Sequence, residues 1–190
     1  NGRNVRLSLD LGLQGVVEQA LDETGDSDDE VYLNDLNAER VIVVLFDPAT
    51  MGVRAIGCRD HKHGPDKPLL SNPATEMLYE PGSTMKIVTV AAAISSGKVN
   101  GQSRIDLGSG GVWDDSDITQ ITDEHPYSSL TVEDILVKSS NIGAYKLARL
   151  LGTRRFEEMI LDFGFCRRTG FESPSESRGS FAGNEKMTIQ

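Results

Sequence analysis

The pattern of hydrophobic and polar positions divides the chain into short helices and strands joined by polar loops. Alternation from Arg3 to Asp10 predicts a half-buried strand, and an apolar stripe then predicts a helix that begins at Asp10 (Leu13, Val16, Val17, Ala20 and Leu21). The continuous β-branched run from Val41 to Phe46 predicts a central strand buried on both faces. Turn residues from Asp47 to Gly52 predict a hairpin whose second arm runs from Val53 to Gly57.

Three further helices are predicted in the second half of the chain. The first spans Leu130 to Lys138, with Thr131 as its cap. The second spans Ile142 to Leu151, and the third spans Phe156 to Phe163. The preceding stretch, from Asn100 to Tyr127, is rich in Gly, Ser and Asp, which is typical of turns.

The helix that follows Pro81 and Gly82 differs from the others because apolar residues lie on every side of it. Its segment from Ile87 to Ile94 consists of Ile, Val, Ala and Thr, which predicts a helix buried all round. Ser83 takes the position of an N-cap or first-turn residue, and Gly97 ends the helix.

Two polar residues at the start of this helix form the first candidate for chemistry. Ser83 and Lys86 are three residues apart, so their side chains meet on one helix face. Burial favours the neutral form of a lysine, and a neutral amine beside a hydroxyl can act as its general base. The free N–H groups of the first helical turn also suit a developing oxyanion. The alternative is a capping serine beside a solvated lysine, since the Ser-x-x-Lys spacing often arises by chance.

The second candidate is Ser139-Ser140-Asn141, which interrupts two predicted helices. A buried corner between helices can hold a hydroxyl and an amide toward a shared cleft. Ser and Asn are also ordinary capping residues, so the alternative is a structural corner without chemistry.

Composition and charge exclude several classes of function. The 190 residues suffice for one domain with a core, and the formal charge of −10 argues against a nucleic-acid partner. No apolar run approaches the roughly 18–20 residues of a membrane span, and no signal peptide is visible. The two cysteines and three histidines match no disulfide framework or metal motif, so no cofactor is expected.

The acidic stretch from Asp22 to Glu30 is predicted to be a solvated loop, with a calcium site as the alternative.

Taken together, the two candidate motifs resemble the transpeptidase domain of class B penicillin-binding proteins, the enzymes that cross-link peptidoglycan. The segment from Tyr79 to Lys86 is similar to the nucleophile motif of that family, and the segment from Leu130 to Gly143 is similar to its second motif with the preceding helix. Weaker similarities follow in family order along the chain: Leu7-Ser8-Leu9-Asp10, Asp47-Pro48-Ala49-Thr50, Asn72-Pro73-Ala74, Phe163-Gly164-Phe165 and Thr169-Gly170.

The resemblance implies a role for each of four catalytic residues. Ser83 would be the acylated nucleophile, and Lys86 would take its proton. Ser139 would relay a proton to the leaving group, and Asn141 would orient Lys86 and the substrate amide. The implied fold is α+β, a three-layer α/β/α arrangement of the β-lactamase and transpeptidase type. It would comprise an incomplete antiparallel sheet, helices and an inserted all-α lobe.

The third motif of the family, Lys-Thr-Gly, is not found in the sequence. Arg168-Thr169-Gly170 is rejected, because it follows the segment where the family has a connecting turn. The resemblance therefore implies a partial domain in three parts: 1–97 with the first strands and the nucleophile helix, 98–163 as the helical lobe, and 164–190 as a return segment. A chain that lacks the third motif is expected to turn over no peptide by itself.

Two other functions remain open from the sequence. One is a β-lactamase or β-lactam sensor with the same chemistry, and the other is a non-catalytic scaffold of cell division. For the leading interpretation, the resemblance implies peptidoglycan stem peptides, β-lactam antibiotics and membrane-embedded cell-wall synthesis or division proteins as partners. It also implies an extracytoplasmic location, with a membrane anchor outside this chain.

Overall fold

The protein forms two compact units in a computed structural model, which describes residues 6–22, 38–60, 72–115, 118–173 and 175–181. The first unit comprises Asn1–Met77 with Glu172–Ser177, and the second comprises Leu78–Phe171 with Arg178–Gln190. The predicted parts 1–97, 98–163 and 164–190 are not decided by this division, in which the helix that follows Ser83 packs with the other helices of the second unit. That the chain is one part of a larger domain stays a prediction.

The first unit is a β-hairpin with a helix packed against it. Its elements are α1 (Leu11–Asp22), β1 (Arg40–Phe46), β2 (Val53–Asp60) and the short α2 (Pro73–Glu76). The strands β1 and β2 are antiparallel, as the hairpin pattern predicted. Val17 and Leu21 of α1 pack with Ala55 of β2 in a small buried cluster. The predicted start of α1 is confirmed, since Asp10 Oδ1 accepts hydrogen bonds from the N–H groups of Gly12 at 2.9 Å and Leu13 at 3.0 Å.

The turn of the hairpin is also confirmed, and its chemistry centres on Asp47. The Asp47 N–H donates to Gly52 O at 3.0 Å, which closes the loop. The Asp47 carboxylate accepts hydrogen bonds from Arg54 Nη2, Ala49 N and Thr50 Oγ1. These bonds, the Arg54 bond first among them, lower the pKa of Asp47 to about 2.

Two predictions for this unit are wrong. The segment 6–10, the described part of the predicted first strand, forms no strand, although Ser8 Oγ donates to Val53 O at 2.7 Å beside β2. The strand β1 is not buried on both faces, since Phe46 is 55% exposed. Within the described ranges β1 pairs with β2 alone. The paired strand and α1 therefore cover only some of its apolar side chains, and the others stay exposed. The acidic stretch 23–30 lies outside the described residues.

The close contact between α1 and β2 depends on a residue without a side chain. A Cβ at Gly57 would lie 2.7 Å from Leu21 Cδ1 and 2.8 Å from Val17 Cγ1. We therefore expect Gly57→Ala to lower the free energy of unfolding by about 1–3 kcal/mol, measured by urea denaturation of the 190-residue chain. The matched control is Gly15→Ala, which lies within α1 with no atom within 4 Å of the added Cβ. It should raise stability by up to about 1 kcal/mol through helix propensity. An unchanged midpoint for Gly57→Ala would contradict this account of the packing.

The second unit holds most of the helices around one core. It contains a 3₁₀ turn (Gly82–Thr84), followed by α3 (Met85–Ser95), α4 (Val132–Val137), α5 (Asn141–Leu151) and α6 (Thr153–Asp162). Four short strands lie between α3 and α4: β3 (Arg104–Asp106), β4 (Val112–Asp115), β5 (Ile118–Thr122) and β6 (Ser129–Thr131). The three helices predicted in the second half are confirmed, as is the cap, because Thr131 Oγ1 accepts a bond from Asp134 N at 3.0 Å. The core cluster joins residues of α3, α4, α5 and α6.

The α+β class is confirmed, with one correction to the lobe. It is not all-helical, because β3 pairs with β6 and β4 pairs with β5 in two antiparallel ladders. These strands are only three to five residues long and lie among Gly, Ser and Asp residues typical of turns, so the sequence pattern does not predict them. Within the described ranges, every helix is too short or too polar to span a lipid bilayer.

The helix α3 departs from its prediction in its burial. It is not buried all round, because Ile87 is 53% exposed and Ile94 is 43% exposed, whereas Val88 and Ala92 lie in the core. Of the two positions predicted for Ser83, N-cap or first turn, the structure shows the second in the form of a 3₁₀ turn that precedes α3. That turn nevertheless continues directly into α3, so Ser83 and Lys86 remain one turn apart.

Candidate active site

The first half of the candidate site is the junction of the 3₁₀ turn and α3. The Ser83 side chain is exposed there, whereas Lys86, the second residue of α3, is only 8% exposed. The Lys86 Nζ atom lies 3.2 Å from Ser83 Oγ. An accessible hydroxyl beside a buried amine is the arrangement that an activated serine requires.

The second half is the corner between α4 and α5, formed by residues 139–141. Ser140 is the N-cap of α5, and its Oγ accepts a bond from Gly143 N at 2.9 Å. Asn141 is the first residue of α5, and Ser139 has a left-handed backbone with φ of 54°. An L-residue adopts this conformation only where its surroundings impose it, which is common at functional sites.

The structure brings all four predicted residues together. Lys86 Nζ lies 2.9 Å from Ser139 Oγ and 2.6 Å from Asn141 Oδ1. It also lies 2.6 Å from the backbone carbonyl oxygen of Ser139. The two serine hydroxyls, of Ser83 and Ser139, lie 3.2 Å apart. Lys86 Nζ and the two Oγ atoms therefore form a triangle with sides of hydrogen-bond length.

The contacts of Lys86 leave one side of its amine facing the hydroxyls. The carbonyl oxygens of Ser139 and Asn141 only accept hydrogen bonds, so they occupy two N–H groups of Nζ. The orientation of the Asn141 amide follows from its other contact, because its Nδ2 donates to the acceptor Thr122 O at 2.8 Å. In a neutral amine the remaining position is a lone pair, which faces Ser83 Oγ and Ser139 Oγ. This geometry allows Lys86 to take a proton from Ser83.

The electrostatic environment favours this protonation state. Burial lowers the pKa of the Lys86 ammonium below its ordinary value. The negative charge of Asp123 acts in the opposite direction and retains part of the ammonium character. Lys86 therefore loses its proton more readily than a lysine in water does, and the charge of Asp123 limits this effect.

Asp123 is the residue of this site that sequence reasoning missed. It directly follows β5 and accepts hydrogen bonds from the backbone N–H of Asn141 at 2.5 Å and of Ile142 at 3.1 Å. The Gly-, Ser- and Asp-rich stretch around it predicts turns only. Four of the five residues at 118–122 are β-branched, which favours a strand and would place an aspartate directly after it, a frequent position for functional side chains.

The site offers oxygen and nitrogen atoms for acid–base chemistry and no evident metal ligands. Among the residues that the structure describes, no three His, Cys, Asp or Glu side chains come together as metal ligands would.

Comparison with known proteins places the chain in a family. The chain is 30% identical over 186 residues to penicillin-binding protein PbpB of Mycolicibacterium smegmatis, an alignment that covers 94% of this chain and 27% of that protein. It is 28% identical over 191 residues to the probable peptidoglycan D,D-transpeptidase PbpC of Pseudomonas aeruginosa, with 98% of this chain and 32% of that protein covered. The chain thus spans about a quarter to a third of the length of these relatives.

A solved structure gives the same fold. The crystal structure of a peptidoglycan glycosyltransferase from Burkholderia ambifaria aligns with a TM-score of 0.75 at 24% identity, over 93% of this chain and 50% of that chain. The family model described as the penicillin-binding protein transpeptidase domain matches residues 41–190, which include Ser83, Lys86, Ser139 and Asn141. The resemblance seen in the motifs is therefore confirmed: the chain belongs to the transpeptidase-domain family of penicillin-binding proteins.

Proposed function

We propose that this chain carries the nucleophile half of the active site of a serine D,D-transpeptidase that cross-links peptidoglycan. The observation that carries the proposal is the triangle of Ser83 Oγ, Lys86 Nζ and Ser139 Oγ, with sides of 2.9–3.2 Å. This arrangement supplies a nucleophile, its base and a second hydroxyl within one proton-transfer distance of each other.

In the proposed acylation step, Lys86 Nζ takes the proton of Ser83 Oγ as that oxygen attacks the carbonyl carbon of the penultimate D-Ala. The tetrahedral intermediate collapses to an ester on Ser83, and the C–N bond to the terminal D-Ala breaks. Ser139 passes a proton from Lys86 to the departing amine. In the second step, an amine of another stem peptide attacks the ester, which forms the cross-link and returns the proton to Ser83. A β-lactam would acylate the same oxygen by opening its ring amide.

The oxyanion of the tetrahedral intermediate needs donors that face the Ser83 oxygen. The Ser83 N–H, in the first turn leading into α3, is the proposed first donor. The second donor and the basic group for the substrate carboxylate are expected from a Lys-Thr-Gly strand, which this sequence does not contain. Loss of one oxyanion donor costs on the order of 10²–10³ in rate, so we expect peptide turnover only in a protein that supplies that strand.

The proposed partners and location follow from this chemistry. The substrates are peptidoglycan stem peptides, and β-lactam antibiotics are the expected inhibitors. Peptidoglycan lies outside the cytoplasmic membrane, so we propose an extracytoplasmic location and membrane-embedded cell-wall synthesis or division proteins as neighbours. The names of the two relatives, a penicillin-binding protein and a probable peptidoglycan D,D-transpeptidase, support the substrate class.

The test is covalent labelling of Ser83 by a fluorescent penicillin in the full-length natural protein that contains this chain. We expect peptide mapping to place the label on Ser83, and Ser83→Ala to abolish it because no other oxygen occupies the nucleophile position. Ser128→Ala, a change at an exposed serine of the same unit, should leave labelling unchanged.

Two outcomes would favour the competing functions. An intact protein that is not labelled would favour the non-catalytic scaffold. Rapid hydrolysis of a chromogenic cephalosporin would favour the β-lactamase relative over the transpeptidase.

A further inference from the structure

The carboxylate of Asp123 binds three donors in the corner that carries Ser139 and Asn141 and in the residue that follows it. Asp123 Oδ2 accepts the Ser140 hydroxyl at 2.6 Å, and Oδ1 accepts the N–H groups of Asn141 at 2.5 Å and Ile142 at 3.1 Å. These donors belong to three consecutive residues directly after Ser139. A carboxylate at this position also interacts favourably with the positive end of the α5 dipole.

Asp123 is itself held in place by the strands that precede it. Its N–H donates to Gly111 O at 2.9 Å, at the start of β4. Gly111 has a φ of 71°, and a Cβ there would lie 3.1 Å from Pro126 Cα, so the turn after Asp123 packs closely on Gly111. The neighbouring Thr122 O accepts the side-chain amide of Asn141. One dipeptide, Thr122-Asp123, therefore binds both the backbone and the side chain of Asn141.

We propose that Asp123 is a positioning residue for the acylation of Ser83, acting through the corner that it holds against β5. The inference rests on the proposed function and adds a residue to it. Asp123 acts on Lys86 through charge and not through a hydrogen bond, but the two shortest hydrogen bonds of Lys86 Nζ, to Ser139 O and Asn141 Oδ1, are to residues of this corner. A shift of the corner would move both acceptors and the Ser139 hydroxyl together. Misplacement of about 1 Å at a reacting group can cost about 100-fold in rate.

Two features distinguish this arrangement from an ordinary helix cap. Ser140, the N-cap residue, is only 2% exposed, and its hydroxyl both donates to Asp123 and accepts from Gly143 N. Ser139 holds a left-handed backbone, so it depends on its neighbours to stay in place. Ser140 alone therefore caps α5. The additional effect of Asp123 is that it attaches the corner to the strands β4 and β5.

Asp123 also acts on Lys86 through its charge. Lys86 Nζ contacts the hydroxyl of Ser83, which lies one helical turn before it. It also contacts oxygens of Ser139 and Asn141, which belong to the corner. Asp123 is the charged group whose field raises the pKa of Lys86 against the effect of burial. Loss of that charge leaves the ammonium less stabilised, so the pKa of Lys86 falls further.

The experiment compares two substitutions at Asp123 in the full-length natural protein that contains this chain. The rate of Ser83 acylation by a fluorescent penicillin is measured against pH, with the melting temperature of each variant as a check of folding. Asp123→Ala removes all three bonds and the charge, so we expect acylation on the alkaline plateau to fall by about 10–100-fold, and the acidic limb to move to lower pH. Asp123→Asn can keep the bonds to the backbone N–H groups but loses the charge. Its acylation should fall less, and the acidic limb of its pH profile should move to lower pH.

The matched control is Asp114→Asn, a carboxylate of β4 that accepts from Gln120 Nε2 and makes no contact with the corner. Its rate and its pH profile should equal those of the unsubstituted protein. Asp123 variants that melt at lower temperature but keep the unsubstituted rate and pH profile would overturn the proposal and leave a stabilising cap.

A protein that no penicillin labels would contradict the proposed function, and the structural part of the inference is then tested separately. The distances from Lys86 Nζ to Ser139 O and Asn141 Oδ1 are compared between crystal structures of the unsubstituted full-length protein and its Asp123→Ala variant. A corner displaced from Lys86 in the variant supports the inference, and an unchanged corner overturns it.

Discussion

Lys86→Gln is expected to lower the rate of Ser83 acylation by about 10²–10⁴-fold, the range that a positioned general base contributes. Glutamine has nearly the length of lysine and can still donate N–H bonds to Ser139 O or Asn141 Oδ1. It has no lone pair of comparable basicity to accept the proton of Ser83. The measurement is the second-order rate constant for labelling by a fluorescent penicillin in the full-length natural protein that contains this chain.

The pH dependence gives the same prediction a second readout. In the unsubstituted protein the neutral fraction of Lys86 grows as the pH rises through its pKa, so acylation should rise with pH. Because burial lowers this pKa, the rise should occur at lower pH than for an ordinary lysine. In Lys86→Gln that limb should disappear.

Lys146→Gln is the matched control, because burial lowers the pKa of Lys146 as well. Its Nζ lies 3.3 Å from the centroid of the Trp113 ring and donates to Asp106 O at 2.7 Å, so it makes no bond to Ser83 or the corner. This variant should lose some stability and keep its labelling rate. If Lys86→Gln labelled as fast as the control, Lys86 would not be the base.

Gly143→Ala is expected to destabilise the second unit and to disable the site together. A Cβ at Gly143 would lie 2.5, 2.8 and 3.0 Å from three side-chain atoms of Ile135, which is fully buried in α4. Either α5 moves away from α4 or Ile135 leaves its position, and overpacking of this kind costs about 1–3 kcal/mol. Asn141 is the first residue of α5, so a shift of the helix displaces its amide from Lys86. We expect acylation to fall with the urea midpoint.

A second substitution tests whether the crowding with Ile135 is the cause. Ile135→Ala removes the three crowded atoms and alone should cost about 2–5 kcal/mol through the cavity it leaves. In the double variant the added methyl occupies part of that cavity, so the two costs should be less than additive. Gly101→Ala, where no atom lies within 4 Å of the added Cβ, is the neutral comparison. Additive costs in the double variant would show that the crowding has another origin.

Local sequence patterns were sufficient for features that depend on neighbouring residues. The capping roles of Asp10 and Thr131 follow from short polar side chains that bond to N–H groups two or three positions ahead. The hairpin follows from the turn residues between β1 and β2. The pairing of Ser83 with Lys86 also belongs to this group, because a separation of three residues fixes their proximity in any helical turn.

Features that depend on distant segments were predicted poorly. The apolar runs of β1 and α3 predict burial on all sides, yet Phe46 and Ile87 are exposed because exposure depends on which segments pack nearby. The same reason explains the missed role of Asp123. Its three donors, in residues 140–142, lie at least 17 residues along the chain, and nothing in the adjacent sequence indicates them.

The sequence by itself determined the family, the chemical identity of the four site residues and the helical turn that joins Ser83 to Lys86. Only the tertiary structure decided that the corner of Ser139 and Asn141 reaches Lys86, that two carbonyl oxygens orient its amine, and that Asp123 holds this corner. The physical reason is the range of the interactions. Hydrogen bonds within a turn are set by local backbone geometry, whereas bonds across 53 and 55 residues, from Lys86 to Ser139 and Asn141, exist only once the core has packed.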